Sequence, residues 1–220
     1  KRNRPFASGS LSIPFGLALA AACLLGGVLL AFALPRLFLL VLVGYLALTT
    51  AYSFYLKQFV LLDVIVLAQL YTVRVYGGGA ATDVAPSHWL LTFSLFLFLS
   101  LALVKRFTEL RLMSQAEGEG LPGRGYWVTD VEHISSIGTA SGLLAVLVLA
   151  LYISSKEVLL LYTHADVLWL VCPVMLYWIS RVWMLAYRNR MDDDPVVFAV
   201  KDPKSYAMAA VIGAILFFAK

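Results

Sequence analysis

Residues Leu37–Leu56, LFLLVLVGYLALTTAYSFYL, run for 20 positions without a charge and stop at Lys57. As a helix such a run covers about 30 Å, the thickness of the hydrocarbon core of a bilayer. It predicts a membrane crossing. Working outward, Ile13–Pro35 (23 residues), Val84–Val104 (21) and Ile134–Ser155 (22) are also free of charge and long enough. Three further stretches are less uniform. Gln58–Tyr76 holds Asp63 and Arg74, Val167–Tyr187 holds Arg181, and Ser205–Ala219 is short. The pattern predicts an all-α polytopic membrane bundle of seven spans, forming one domain over residues 1–220 with no repeat of fixed period.

Composition agrees, with 61% hydrophobic and only 14% charged residues, outside the range of soluble domains. The charges are unevenly placed. Of 17 Lys and Arg, 12 fall in the loops on one side (Lys1, Arg2, Arg4, Lys57, Lys105, Arg106, Arg111, Arg124, Arg188, Arg190, Lys201, Lys204) and only Arg36, Lys156 and Lys220 on the other. The positive-inside rule puts the first set in the cytoplasm. A net charge of +4 is then explained by topology, by anionic membrane lipids or by an anionic substrate, and no nucleic-acid partner is expected. Cys23 and Cys172 lie in apolar spans without metal-ligand spacing and are expected to be buried bystanders.

Polar residues at helix mouths mark where a membrane protein keeps its chemistry. The longest basic-side segment, Lys105–His133, opens with KRFTELR and closes with GRGYWVTDVEH. If the preceding span continues as helix, Lys105, Arg106 and Glu109 share one turn, a pattern suited to a phosphate-bearing substrate: cations for its oxygens and a carboxylate for a metal. A belt of cations meeting lipid phosphates is the competing reading. Arg124, Tyr126 and Asp130 re-enter at the other end of the loop and are expected to face the first group across a cavity. Asp63 and Arg74, 11 residues apart, share a helix face but lie about 16 Å apart along it. Asp63 is expected to line the cavity or to pair with a neighbouring helix, and Arg74 to anchor near the far mouth. The acidic triplet Asp192–Asp194 reads as a solvated loop stiffened by Pro195 and Pro203.

Taken together, KRNRPFASG, AYSFYLK with Asp63 following, RVYGGGAAT and KRFTEL resemble the UbiA superfamily of intramembrane prenyltransferases, with the branch of decaprenyl-phosphate phosphoribosyltransferases the most similar. The resemblance extends over essentially all 220 residues. It implies a nine-helix fold whose cavity opens to lipid and whose two cytoplasmic carboxylate motifs bind Mg²⁺ and a diphosphate. Lys1–Pro5 is similar to the end of the basic stretch that follows the first motif, so the resemblance implies that two helices and the principal Mg²⁺ ligands precede Lys1. Tyr52 and Lys57 match a turn that contacts diphosphate, spaced Tyr-x-x-x-x-Lys. At the second motif the chain offers Lys105, Arg106 and Glu109 in place of a carboxylate pair, which favours the phosphoribosyl branch. The closing region resembles bacterial proteins in which a haloacid-dehalogenase-like phosphatase domain is fused in front.

What this implies is a Mg²⁺-dependent transferase in the inner (plasma) membrane, its site facing the cytoplasm, joining a polyprenyl phosphate to a phosphoribosyl group from phosphoribosyl diphosphate. Lys57, Lys105 and Arg106 are the expected clamp for the leaving diphosphate, and Glu109 orients a cation or, with Asp130, holds metal. Tyr52, Asp63, Arg124, Tyr126 and Asp130 are expected to line the substrate cavity. Transfer from a prenyl diphosphate to an aromatic or other lipid acceptor is the alternative within enzymes. A transporter or non-catalytic scaffold is the alternative outside them, and no paired broken helices in matching halves support it.

Overall fold

The computed structural model describes residues 11–115, 119–191 and 195–220; the basic run Lys1–Pro5 and the triplet Asp192–Asp194 lie outside the described residues. The apolar runs are helical because hydrocarbon leaves no other partner for backbone N–H and C=O groups. Helix α1 covers Ile13–Ala31, with Pro14 in its first turn where no N–H is required, and α2 covers Arg36–Phe54, entered through Pro35. Helix α3 spans Leu62–Thr82, α4 His88–Gln115 and α5 Val131–Ile153. Short α6 (Lys156–Leu161) and a 3₁₀ segment at Ala165–Leu170 lead into α7 (Val171–Tyr187). Helix α8 (Pro195–Lys201) turns the chain into α9, Pro203–Ala219, whose start is capped by the Asp202 carboxylate on the Ser205 N–H.

Six of the seven expected spans are long and apolar enough to cross a membrane. The seventh, α9, has 17 residues, about 26 Å, the lower limit for a crossing. The chain is a multi-pass membrane protein.

Two boundaries differ from expectation, each for a local reason. The third span starts at Leu62 rather than Gln58, because Leu56–Gln58 forms a 3₁₀ turn and Leu61 takes a positive φ that no helix admits. The fourth begins at His88, beyond Pro86, and continues through Lys105 to Gln115. Lys105, Arg106 and Glu109 therefore belong to the last turns of a continuous 28-residue helix.

Packing is uneven. Helices α3, α4, α5 and α7 share one core around Leu103, Phe107, Leu110, Ile134 and Trp183. Close approach of α5 and α7 needs Gly138, where any Cβ would collide with the Trp183 indole. That indole donates to Ser100 Oγ at 3.0 Å, and Ser100 Oγ donates to the Gly138 carbonyl at 2.7 Å, so three helices meet with their polar groups satisfied. By contrast α1 buries only Gly16 and Ala31, and α2 buries no residue fully. Antiparallel neighbours bring the ends of α2, α4 and α7 and the starts of α3, α5 and α9 to one end of the bundle. Phe107 of α4 lies against Tyr187 at the end of α7, ring centroids 4.7 Å apart. Among the described residues, this end carries the majority of the Lys and Arg side chains.

Candidate functional site

Asp63, in the first turn of α3, is the centre of the polar cluster at that end and is completely buried. Its Oδ2 accepts from Arg106 Nε at 2.5 Å. Its Oδ1 accepts from Arg124 Nη1 at 2.8 Å and from the Tyr52 hydroxyl at 2.8 Å. Arg106 is 1% exposed, and its Nη1 also donates to Glu109, one turn further along α4. Four segments are joined: the end of α2, the start of α3, the end of α4, and the loop before α5. Two guanidinium groups and two carboxylates balance, which is the condition for holding ions in an apolar interior.

The loop before α5 is built to reach this centre. Its two arms pair as a narrow hairpin, with Leu121 N–H donating to the Tyr126 carbonyl at 2.8 Å and Val128 N–H to the Glu119 carbonyl at 2.9 Å. Pro122 and Gly123 make the turn, closed by Arg124 N–H on the Leu121 carbonyl. Arg124 then points to Asp63 from the rim, with 26% of its side chain accessible. Tyr126, 1% exposed, turns inward, and its hydroxyl oxygen accepts from the Leu61 N–H at 3.0 Å. Burial pushes the Tyr126 phenol up to about 12, so it stays neutral over the working pH range.

Of the nine residues singled out in the sequence, six meet here: Tyr52, Asp63, Arg106, Glu109, Arg124 and Tyr126. Several have partners other than those anticipated. Arg106, expected to grip phosphate oxygens, is enclosed by Asp63 and Glu109. Asp63 is completely buried and pairs with neighbouring elements. Asp130 sits apart from the cluster, its Oδ2 accepting from the Trp127 N–H at 2.9 Å at the entry to α5. Lys57 is half-buried in the connector between α2 and α3 and has no hydrogen-bond or ion-pair partner among the described residues. Lys105 sits at a small apolar cavity beside Leu67, Tyr71 and Pro195. Leu61, Tyr45 and the Arg181–Asp202 pair carry weight that the sequence reading did not assign. Only the Arg inside a span was a signal for the last.

Among the described residues no three His, Cys, Asp or Glu side chains are grouped as metal ligands. Both Asp63 oxygens face cations, Glu109 is bonded to Arg106, and Asp130 accepts from the Trp127 N–H. These residues do not fit Mg²⁺ by themselves.

A membrane-embedded helical bundle with a buried cation–carboxylate cluster at its basic end defines the class of protein. Comparison with known sequences makes that specific: residues 1–201 match the UbiA prenyltransferase family, to which this chain belongs. Its members are prenyltransferases that generally use Mg²⁺ with diphosphate substrates. Among relatives, the uncharacterized protein y4nM of Sinorhizobium fredii is 36% identical over 214 residues, covering 96% of this chain and 41% of y4nM. Nodulation protein NoeC of Azorhizobium caulinodans is 35% identical over 209 residues, covering 93% of this chain and 67% of NoeC. Decaprenyl-phosphate phosphoribosyltransferase of Mycobacterium tuberculosis is 39% identical over 115 residues, 51% of this chain and 37% of that protein. The chain thus spans only part of the length of these relatives.

Proposed function

We propose that the protein containing this chain joins a polyprenyl phosphate to a phosphoribosyl group taken from phosphoribosyl diphosphate. The observation that carries this reading is the end of α4. Where the family resemblance implies a carboxylate pair, the chain presents Lys105 and Arg106 with one acid, Glu109, already bonded to Arg106. The similarity to decaprenyl-phosphate phosphoribosyltransferase supports the same branch.

In this reaction an oxygen of the lipid phosphate attacks the anomeric carbon of the ribose, and diphosphate departs with the bonding electrons. Negative charge grows on the leaving group, so positioned cations matter more than a strong base. Lys57 and Lys105 supply them from the connector and from α4, and Arg124 stands at the rim with Tyr52 beside it. Arg106 and Glu109 are positioning residues that fix Asp63, and Asp130 sets the entry to α5. The site faces the cytoplasm of a cell whose inner membrane holds the bundle, a reading that the uneven loop charges support. The greater length of y4nM leaves room for a further domain, and a haloacid-dehalogenase-like phosphatase fits the resemblance of the closing region.

The test is transfer by the full-length protein in membranes. Radiolabelled phosphoribosyl diphosphate with polyprenyl phosphate is run beside a prenyl diphosphate with hydroxybenzoate, each with and without Mg²⁺. Label from the first pair should enter the lipid fraction. Lys57→Ala should slow it by roughly a hundredfold, about 2.7 kcal/mol of transition-state stabilisation, at unchanged expression. Transfer only from the prenyl diphosphate assigns the alternative within the family. Transfer in neither leaves the scaffold reading.

A further inference from the structure

The connector that carries Lys57 ends in a backbone conformation that leucine does not take unaided. Leu61 has φ 64° and ψ −42°, and the Leu62 N–H closes back on the Val60 carbonyl at 2.7 Å, forming a γ-turn of the strained hand. A β-carbon in that region is costly, and such a turn persists only where surrounding contacts impose it. Two come from the hairpin before α5. The Tyr126 hydroxyl accepts the Leu61 N–H at 3.0 Å, a group that the turn itself leaves unpaired. Gly125, at φ 69°, lies so close to the connector that a Cβ there would stand 3.0 Å from the Gln58 carbonyl and 3.2 Å from Val60. Arg124, the residue before, anchors the same hairpin to Asp63. Three successive residues, 124–126, therefore grip the connector and the helix that follows it.

We infer that Tyr126 is a positioning residue: it latches the strained Leu61 turn and so holds the connector bearing Lys57 at the site, without itself touching substrate. Burial supports this. At 1% exposure the ring has no face for a ligand, whereas its oxygen meets a backbone N–H 65 residues away. The inference rests on the reading that Lys57 serves the reaction, but the latch itself can be measured without any substrate.

The experiment uses the full-length protein in lipid nanodiscs. Tyr126→Phe removes the acceptor and keeps the ring. Hydrogen–deuterium exchange over residues 55–62 should rise roughly five- to tenfold, as loss of one hydrogen bond gives, while α4 and α5 keep their protection. Leu61→Gly in the Tyr126→Phe background should restore most of that protection, because glycine adopts the turn without strain. A rescue of this kind separates a latch from general loss of packing. In the transfer assay the single variant should turn over roughly tenfold more slowly, and the double variant should recover. Unchanged exchange in Tyr126→Phe, or no rescue by Leu61→Gly, overturns the latch. Raised exchange and rescue with unaltered transfer upholds the latch and removes Lys57 from the reaction.

Discussion

Asp63 and Arg74 lie on the same helix, 11 residues apart, and the bundle treats them in opposite ways. Asp63 is wholly buried and receives two guanidinium groups and a phenol from three other segments. Arg74 is exposed, donates Nε at 3.0 Å and Nη2 at 2.5 Å to the Tyr45 hydroxyl, and rests over the rings of Tyr45 and Tyr71. One charge is neutralised by design of the tertiary fold. The other is accommodated by aromatic faces beside a groove lined by Phe38, Val41 and Gly77. An ionised residue in a membrane helix thus says that something must compensate it, not what does.

The largest effect expected from breaking this contrast is at Asp63. Asp63→Ala leaves Arg106 buried with Glu109 alone and frees Arg124, an unbalanced charge worth about 3–5 kcal/mol. Thermal unfolding in detergent should fall steeply and yield should drop. The pairing has a second, more selective consequence. Replacing both members by apolar groups, Asp63→Leu with Arg106→Met, removes the fully buried ions and leaves only the partly exposed Arg124 and Glu109, so it should recover much of that stability. Transfer should stay lost, since the scaffold holding Arg124 and Tyr52 is gone. A double variant as unstable as the single one would show that the pair does not act as a unit.

A smaller effect is expected at the ion pair that fastens α9 to α7. Arg181 donates to both Asp202 oxygens at 2.7 and 2.9 Å, and Asp202 also caps Ser205. The Arg181 guanidinium, with help from Ser205, holds the Asp202 carboxyl below the usual carboxylate range. A depressed carboxylate contributes stability that is complete above its unfolded value and is lost as pH falls through the lower folded value. Asp202→Asn should therefore cost roughly 1 kcal/mol at pH 7, and the gap from the wild type in melting temperature should close below about pH 4. A gap that is constant with pH assigns the contribution to the hydrogen bonds alone.

What could be read in advance follows from the range of each interaction. The spans were legible because hydropathy is a local property, and α1, α2 and α5 fall where their apolar runs do. The alternation of basic loops foretold which helix ends gather, and the residue types of the site were legible as polar groups at those ends. Their pairing was not. Arg106 stands 43 residues from Asp63, and Arg124 stands 61 away, with nothing local to join them. Glu109 looked like a metal ligand because its bond to Arg106 depends on where Asp63 holds the other edge of the guanidinium. Leu61 gave no warning, since a leucine at positive φ is imposed by Tyr126 and Gly125 from outside its own segment. The Gly-Arg-Gly run at 123–125 was the nearest local sign of a tight approach.

The smallest effect belongs to Arg74, and it sharpens the contrast most. Among the described residues its compensation consists of one hydroxyl and two aromatic faces, contributions of about 0.5–1 kcal/mol each. Against them stands the cost of keeping a cation about 16 Å along α3 from Asp63, well inside the span. These terms nearly cancel. Arg74→Leu should thus change stability by no more than about 1 kcal/mol, with a melting temperature within a few degrees of the wild type. Arg74→Leu with Asp63→Ala should be no worse than Asp63→Ala alone, because no side chain among the described residues bonds to both. A loss for Arg74→Leu as large as that for Asp63→Ala would mean that the intact protein supplies Arg74 with an anionic partner. The two charges of α3 would then obey one rule, and the difference between them would fall.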